Sequence, residues 1–183
     1  MDYKKLKESS EKFKDKLLKL KVCLFDIDGI LTDGHVFHDG SEVGWNRVFH
    51  TRDGYGLKLL REAGLKVGVI SGGDSNSVRQ RFIENLGLDY VHLGNEDKRK
   101  AYLSVTSDGY KDEEVLYMGD EFFDLPLLKR AGFSATVPAA SPEVQASVDY
   151  VTQLDSGKGC AREVIEMIRF VRNFTPDIPD FED

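Results

Sequence analysis

Short apolar runs alternate with helix-like patterns along most of this chain. Apolar runs typical of buried strands cover residues 22–25, 67–70, 90–93, 115–118 and 134–137. Amphipathic stretches between them predict helices over residues 56–63, 75–86, 98–105 and 125–131. This alternation predicts an α/β fold, a Rossmann-like, doubly wound parallel sheet with helices on both faces.

Two segments depart from the alternation. Residues 1–21 carry apolar side chains at near-helical spacing among lysines, which predicts a leading amphipathic helix with a solvated lysine face. Residues 35–40 and 45–50 flank a turn region that contains Asp-Gly, the signature of a β-hairpin. The hairpin follows the first strand directly, so we expect a flap over that end of the sheet. It is too short to form a cap domain.

The length of the chain predicts one domain. A chain of 183 residues with 40% hydrophobic content can bury one core and is short for two. We expect a leading helix over residues 1–21, a single domain over residues 22–172 and an acidic tail over residues 173–183. The tail holds two prolines and four acids, a composition typical of disorder, with docking on a neighbouring subunit as the alternative.

Charge and cysteine content narrow the partners and the location. A net charge of −7 argues against nonspecific nucleic-acid binding and means that an anionic substrate would need locally placed cations. Cys23 and Cys160 are expected to be small buried residues in a reducing cytoplasm. No apolar segment is long enough for a signal or a membrane span, so no membrane partner is expected.

Polar residues follow four successive predicted strands. Asp26 and Asp28 follow the first, Ser71 the second, Lys98 the third, and the pair Asp120 and Asp124 the fourth. Each alone has an ordinary explanation as a turn former, a helix cap or a surface charge. Because ligands of open parallel sheets bind at the carboxyl ends of the strands, the set together predicts one site.

The residue types at these positions suit phosphate chemistry. Neighbouring carboxylates repel each other unless a cation intervenes, and hard oxygen ligands select Mg²⁺. The Ser71 hydroxyl and the amides of the following glycines can hold phosphoryl oxygens. Lys98 at the start of a helix would stabilise the charge of a transferring group.

Together these residues resemble the four motifs of the haloacid dehalogenase superfamily of phosphotransferases. The resemblance rests on Asp26-Ile27-Asp28-Gly29 with Thr32-Asp33, on Ser71, on Lys98 and on the run from Gly119 to Asp124, and it spans about residues 22–168. It implies a catalytic set with Asp26 as nucleophile, Asp28 as acid and base, and Ser71 and Lys98 on the phosphoryl oxygens. The implied Mg²⁺ ligands are Asp26, the backbone carbonyl of Asp28 and Asp120, and Asp124 is expected to support either these ligands or Lys98 rather than bind the metal directly.

A finer pattern resembles one subgroup, the phosphatases of 3-deoxy-D-manno-octulosonate 8-phosphate and related nine-carbon 2-keto sugar acids. It lies in residues 32–34, 49–56 and 157–164. The resemblance implies a phosphorylated sugar acid as substrate, a role in lipopolysaccharide synthesis, and a homotetramer in which neighbouring subunits close each other's sites. The implied substrate contacts are Asp28, His50, Thr51, Arg52, Asp53, Gly54, Lys58, Arg81 and Lys98.

Two departures bear on the substrate. Gly73 stands where the subgroup has an arginine, and the hairpin lacks paired glutamates in register. A glycine cannot replace a guanidinium that recognises a carboxylate, so we expect Lys58, Arg81 or a flap histidine to compensate, or a different substrate.

Three functions remain open from sequence: a Mg²⁺-dependent sugar-acid phosphatase, a non-catalytic assembly module and a phosphoacceptor signalling domain. The filled motif positions favour the phosphatase. Asp28 argues against a stable phosphoryl switch, which should not carry an acid and base two residues from its acceptor.

Overall fold

A computed structural model describes residues 1–181. The strands, numbered in chain order, are β1 (Val22–Phe25), β2 (Phe37–His38), β3 (Trp45–Asn46), β4 (Lys66–Ile70), β5 (Tyr90–His92), β6 (Val115–Met118), β7 (Phe133–Thr136) and β8 (Tyr150–Val151). The α-helices are α1 (Tyr3–Lys12), α2 (Lys14–Lys19), α3 (Gly40–Val43), α4 (Thr51–Glu62), α5 (Asn76–Arg79), α6 (Arg99–Thr106), α7 (Leu125–Leu128), α8 (Pro142–Gln145) and α9 (Cys160–Arg172).

Six parallel strands form the main sheet in the order β5-β4-β1-β6-β7-β8. The central strand β1 pairs with β4 on one side and with β6 on the other. All four residues of β1 are buried, which is why the strand is apolar throughout rather than alternating. Helices α1, α2 and α4 contact α9, and α6 contacts α7. The predicted doubly wound α/β fold is confirmed.

The leading segment and the strand ends differ in detail from the prediction. Phe13 leaves helical geometry and divides the segment into α1 and α2, and its ring packs edge-on against Phe133 at 5.3 Å between centroids. Strand β7 begins and ends one residue earlier than predicted, and α4 begins five residues earlier, at Thr51. The sequence missed β8, because a strand of two residues is too short to show a period.

The predicted hairpin is present and is smaller than expected. Strands β2 and β3 contain two residues each, pair antiparallel, and are joined by the single helical turn of α3. Between β1 and α4 the described chain holds only this hairpin and a short kinked turn, Ile27–Leu31, so no cap domain is inserted there.

The tail begins where α9 ends at Arg172, with Asn173 in a left-handed conformation. Phe174 is half-buried against the core, and residues 174–177 lie beside Leu59 and Glu62 of α4 and beside Ala63, which follows the helix. Ile178 and Phe181 are exposed. Residues 182 and 183 lie outside the described part, and the character of the whole tail stays a prediction.

Two further features concern the cysteines and the helices. Cys23 and Cys160 are buried free thiols. Within the described chain, each helix falls short of the length and apolar character needed to span a membrane.

Candidate active site

The register of the sheet brings the predicted polar residues to one edge. Strands β4 and β6 flank β1, so Ser71 and Asp120 come from the two strands on either side of the one that ends at Asp26. The ladder extends into the site, because the Asp26 amide donates to the carbonyl of Met118 at 2.8 Å and the Ser71 amide donates to that of His92 at 2.9 Å. The strands therefore fix the backbone from which each side chain projects.

Asp26 is buried at the tip of β1. One oxygen, Oδ1, accepts from the amide of Ile27 at 2.7 Å, and the other lies 2.8 Å from the Lys98 ammonium. Burial and the neighbouring Asp124 carboxylate raise the pKa of Asp26 well above its usual value, against the opposing effect of Lys98. A buried carboxylate of this kind gains from an additional cation.

Lys98 lies between two carboxylates with its side chain fully buried. Its ammonium is 2.8 Å from Asp26 and 2.7 Å from Asp124, and it lies over the ring of Phe123 at 4.6 Å from the centroid. A buried ammonium is tolerated only when it is paired and hydrogen-bonded. This pairing places a fixed positive charge beside the candidate nucleophile.

Asp124 is fully buried and its hydrogen-bonding capacity is filled. Oδ1 accepts from Lys98 at 2.7 Å and from the Tyr117 hydroxyl at 2.5 Å, and Oδ2 accepts from the amides of Asp120 and Glu121 at 3.1 Å each. A carboxylate offers about four acceptor positions. Asp124 therefore orients Lys98 and the Asp120 loop, and a direct bond to a metal would require it to release a donor.

Asp120 has the opposite character, since its buried Oδ1 lacks any hydrogen-bond partner within the described structure. Burial and the nearby Asp124 raise the pKa of Asp120 to about 7. Oxygens of Asp26, Asp120 and Asp124 lie within 4.8 Å of one another. Because Asp124 is saturated, the oxygens open to a cation are those of Asp26 and Asp120, and a hard divalent cation fits this set.

Gly29 explains why the turn after Asp28 can approach this cluster. Its φ is +90°, and a Cβ there would overlap the Asp120 carboxylate. Only a glycine satisfies both demands. The backbone that follows Asp28 thus lies against Asp120, where the Asp28 carbonyl was expected to act as a ligand.

Asp28 itself is held by a residue of the flap. The guanidinium of Arg47 forms a bidentate pair with its carboxylate, Nε to Oδ1 at 2.7 Å and Nη2 to Oδ2 at 2.8 Å. Thr32 donates weakly to Oδ1 at 3.3 Å. Arg47 also donates to the carbonyl of Trp45 at 2.9 Å and to the Ser75 hydroxyl at 3.3 Å. The flap is thereby tied to the candidate acid and base.

Ser71 and Gly73 form the loop after β4. Ser71 is buried, and its hydroxyl accepts from the Gly73 amide at 3.1 Å. A Cβ at Gly73 would overlap Nη2 of Arg47 and would lie 3.1 Å from Oδ2 of Asp28. The guanidinium of Arg47 therefore occupies the space beside Gly73, and compensation by Lys58, Arg81 or a flap histidine stays a prediction.

The predicted substrate contacts on α4 fall into two groups. Thr51, Arg52 and Lys58 are exposed, and within residues 1–181 no hydrogen bond or ion pair joins them to the acidic cluster. Asp53 is buried, and its Oδ1 accepts from the amide of Arg162 at 2.6 Å near the start of α9. Burial raises the pKa of Asp53.

The remaining contacts, His50, Gly54 and Arg81, lie in a packed group around Asp53. Nδ1 of His50 is 3.9 Å from Oδ2 of Asp53, and both atoms are buried without a hydrogen-bond partner in the described structure. A Cβ at Gly54 would overlap the Arg81 guanidinium, which lies over the Phe49 ring at 5.7 Å from its centroid. These residues pack α4 against its neighbours, and their roles toward a substrate stay predictions.

Sequence reasoning missed Arg47, Tyr117 and the contact of Gly29. For Arg47 a signal existed, because the absent arginine at position 73 called for a cation nearby and the flap carries one. Tyr117 gave none, since a tyrosine within an apolar strand is indistinguishable from an ordinary core residue.

Comparisons with known proteins agree with the geometry. A family profile described as haloacid dehalogenase-like hydrolase matches residues 91–164. The 3-deoxy-D-manno-octulosonate 8-phosphate phosphatase of Haemophilus influenzae is 38% identical over 154 residues, which cover 84% of each chain.

Solved structures give the same result. The phosphatase of the same name from Moraxella catarrhalis, in complex with a magnesium ion, a phosphate ion and KDO, superposes with a TM-score of 0.83 at 32% identity, covering 89% of this chain and 93% of that one. The cobalt-bound Haemophilus influenzae enzyme has a TM-score of 0.80 at 36% identity, covering 86% and 92%.

Proposed function

Because the chain belongs to the haloacid dehalogenase-like hydrolases, alongside the 3-deoxy-D-manno-octulosonate 8-phosphate phosphatases, we propose that it is a Mg²⁺-dependent phosphatase of a phosphorylated sugar acid. The single observation that carries this proposal is the position of the Asp26 carboxylate. It is buried at the tip of the central strand, paired with Lys98, and beside an Asp120 oxygen that lacks a partner within the described residues.

Asp26 and Asp120, with the backbone carbonyl of Asp28, would hold the metal. When bound, Mg²⁺ supplies positive charge that offsets the repulsion between a carboxylate and a phosphate dianion. The buried carboxylates fit this role, since their raised pKa values reflect an electrostatic cost that a cation relieves.

The chain's own side chains then divide the reaction into two steps. An oxygen of Asp26 attacks phosphorus as the bond to the sugar oxygen breaks, and Asp28 gives its proton to that oxygen. Asp28, now a carboxylate, takes a proton from the water that releases phosphate from Asp26. Acid and base catalysis of this kind contributes typically 10²–10⁴-fold.

Lys98 and Ser71 act on the phosphoryl group. Lys98 is held by Asp124 beside Asp26, where its ammonium would offset charge on the non-transferring oxygens. Ser71 presents a hydroxyl at the neighbouring strand tip.

The substrate we propose is 3-deoxy-D-manno-octulosonate 8-phosphate, which yields the free sugar acid and phosphate. The similarity to named phosphatases over most of the chain supports this choice. A phosphorylated nine-carbon 2-keto sugar acid is the alternative, because the loop at Gly73 departs from the subgroup pattern.

Release of inorganic phosphate from a panel of substrates tests the proposal. The panel holds the octulosonate 8-phosphate, a nine-carbon 2-keto sugar acid 9-phosphate and glucose 6-phosphate, each with Mg²⁺ and with a chelator. We expect Mg²⁺-dependent turnover with a preference for the sugar acids. Equal kcat/KM for glucose 6-phosphate would contradict the substrate assignment.

Asp26→Asn tests whether Asp26 is the nucleophile. It preserves shape and removes the attacking oxygen, so we expect turnover to fall by roughly 10⁴-fold or more with folding intact by circular dichroism. Substantial residual hydrolysis would reject Asp26 as the nucleophile.

We further propose a homotetramer in the cytoplasm, with residues 22–172 as the catalytic unit and with neither nucleic acid nor membrane as a partner. The flap supports assembly, because its Phe37, Trp45 and Val48 side chains are 46%, 56% and 67% exposed. Sedimentation equilibrium would test it, and a monomer at micromolar concentration would contradict it.

A further inference from the structure

Arg47 is a cationic residue of the flap whose side chain points to the acidic cluster and pairs with Asp28. Its side chain is only 5% exposed, whereas that of Asp28 is 31% exposed. Lys98 is already committed to Asp26 and Asp124 on the interior side. Within the described residues, Arg47 and Lys98 are the two cationic side chains paired with carboxylates of this site.

The guanidinium of Arg47 occupies space that Gly73 leaves open. A side chain at position 73 would overlap Nη2 of Arg47, so a larger residue at 73 and this conformation of Arg47 exclude each other. The carbonyl of Trp45 and the Ser75 hydroxyl accept hydrogen bonds from Nη1, the third nitrogen of the Arg47 guanidinium. The absence of a side chain at position 73 and these two hydrogen bonds thus allow Arg47 to lie beside the Asp28 carboxylate.

The partner that Arg47 holds shows the chemistry that it recognises. Its two parallel hydrogen bonds to Asp28, at 2.7 and 2.8 Å, are those of a guanidinium on a planar carboxylate. Asp28 acts on the oxygen that links phosphorus to the sugar, so Arg47 lies on the leaving-group side. A carboxylate carried by the leaving group can compete with Asp28 for the same fork.

We infer that Arg47 is the specificity-determining residue for a carboxylate on the leaving sugar. In this inference, which rests on the proposed function, the substrate carboxylate takes over hydrogen bonds from Asp28 and frees Asp28 to face the linking oxygen. A sugar phosphate without a carboxylate cannot replace Asp28 on Arg47 in this way. The flap thereby selects sugar acids.

Paired substrates and three variants test the inference. We compare kcat/KM on octulosonate 8-phosphate and on glucose 6-phosphate for Arg47→Gln, for Gly73→Ala and for the double variant Arg47→Gln with Gly73→Arg. Gly73→Ala keeps the arginine and displaces it, which separates position from charge. Arg130→Gln is the control, since Arg130 is half-exposed and pairs with Asp112 at 2.9 Å just before β6 begins, at the other end of that strand from the site.

We expect Arg47→Gln to lower kcat/KM on the sugar acid about 10- to 100-fold, with a loss at least ten times smaller on glucose 6-phosphate. Gly73→Ala should shift selectivity in the same direction, and Gly73→Arg in the Arg47→Gln background should restore part of it. Arg130→Gln should leave both rates unchanged. Equal losses on both substrates, or none on the sugar acid, would overturn the inference.

Calorimetry separates this inference from the proposed function. Binding of free 3-deoxy-D-manno-octulosonate should weaken about tenfold or more in Arg47→Gln, while binding of inorganic phosphate should change far less. Failure of the wild-type protein to hydrolyse the octulosonate 8-phosphate would sink the proposed function alone. Unaltered sugar-acid binding in Arg47→Gln, or no binding to the wild type, would sink the inference.

Discussion

At the scale of single residues, Lys98 shows how burial and charge combine in this site. Its ammonium bridges Asp26 and Asp124, and Asp124 is in turn filled by Tyr117 and two backbone amides. Both carboxylates depend on this one buried ammonium as their cation. Removing Lys98 therefore affects the fold as well as the chemistry, whereas Asp26→Asn leaves Lys98 paired with Asp124.

Lys98→Met should lower the free energy of unfolding by about 3–5 kcal/mol, because it leaves buried carboxylates without their cation. Urea unfolding in the presence of a chelator measures this. Lys100→Met is the control, since Lys100 is exposed in the first turn of α6, the helix that follows Lys98, and its substitution should cost less than about 0.5 kcal/mol. Equal stability of the two variants would show that the Lys98 pairs do not stabilise the fold.

At the scale of elements, the turn after β1 has a demanding geometry. The chain passes from the buried strand through Asp26 into a short kinked turn, Ile27–Leu31, with Gly29 at positive φ. This turn brings the backbone after Asp28 against Asp120 of the neighbouring strand's loop. The sequence Asp-Ile-Asp-Gly therefore supplies both the carboxylates and, through its glycine, the backbone conformation that the site needs.

Gly29→Ala should impair metal binding beyond its backbone cost. A Cβ there meets the Asp120 carboxylate, whereas a Cβ at Gly34, which also has positive φ, meets nothing within 4 Å. Both changes should cost about 1 kcal/mol of stability. We expect the Mg²⁺ concentration for half-maximal activity to rise about tenfold or more in Gly29→Ala and to stay near wild type in Gly34→Ala. Identical Mg²⁺ dependence in the two variants would contradict this geometry.

At the scale of the whole molecule, the acidic edge of the sheet makes stability depend on pH and on metal. The protein carries a net charge of −7, and its site gathers Asp26, Asp28, Asp120 and Asp124 around Lys98 and Arg47. The pKa values of Asp26 and Asp120 lie above their usual values because of burial and of repulsion from Asp124. Folding therefore keeps these carboxylates close together although they repel one another.

The metal-free protein should lose stability as pH rises from about 4 to about 7. The pKa of Asp120 is about 7 in the folded protein against 3.8 for the reference carboxyl, so the folded state binds more protons than the unfolded state in this window. Stability therefore falls with rising pH. Unfolding in a chelator at pH 5 and pH 8 measures the difference.

Asp120→Asn isolates this effect, because it should flatten the slope relative to wild type. Mg²⁺ at 100 times its dissociation constant should add about 2.7 kcal/mol to the wild type at pH 8 and clearly less to Asp120→Asn. A wild-type slope that the substitution does not change would contradict the assignment.

Much of the fold was predictable from local pattern. Strands β1 and β6 coincide with the predicted residues because apolar runs between polar tips define both ends. The flap and β8 were harder, since strands of two residues carry too little periodicity. The break between α1 and α2 falls at Phe13, whose ring packs against Phe133, a contact between distant parts of the chain that local pattern does not reveal.

The sequence alone determined where the main strands lie along the chain and which polar residue follows each of them, because hydrophobic period and residue type are local properties. In a parallel sheet these suffice to bring Asp26, Ser71 and Asp120 to one edge. Only the tertiary structure decided that Arg47 pairs with Asp28 beside Gly73, that Asp124 is saturated, and that Asp53 faces α9. Those outcomes depend on distances between residues far apart in the chain, which are fixed by packing and not by local pattern.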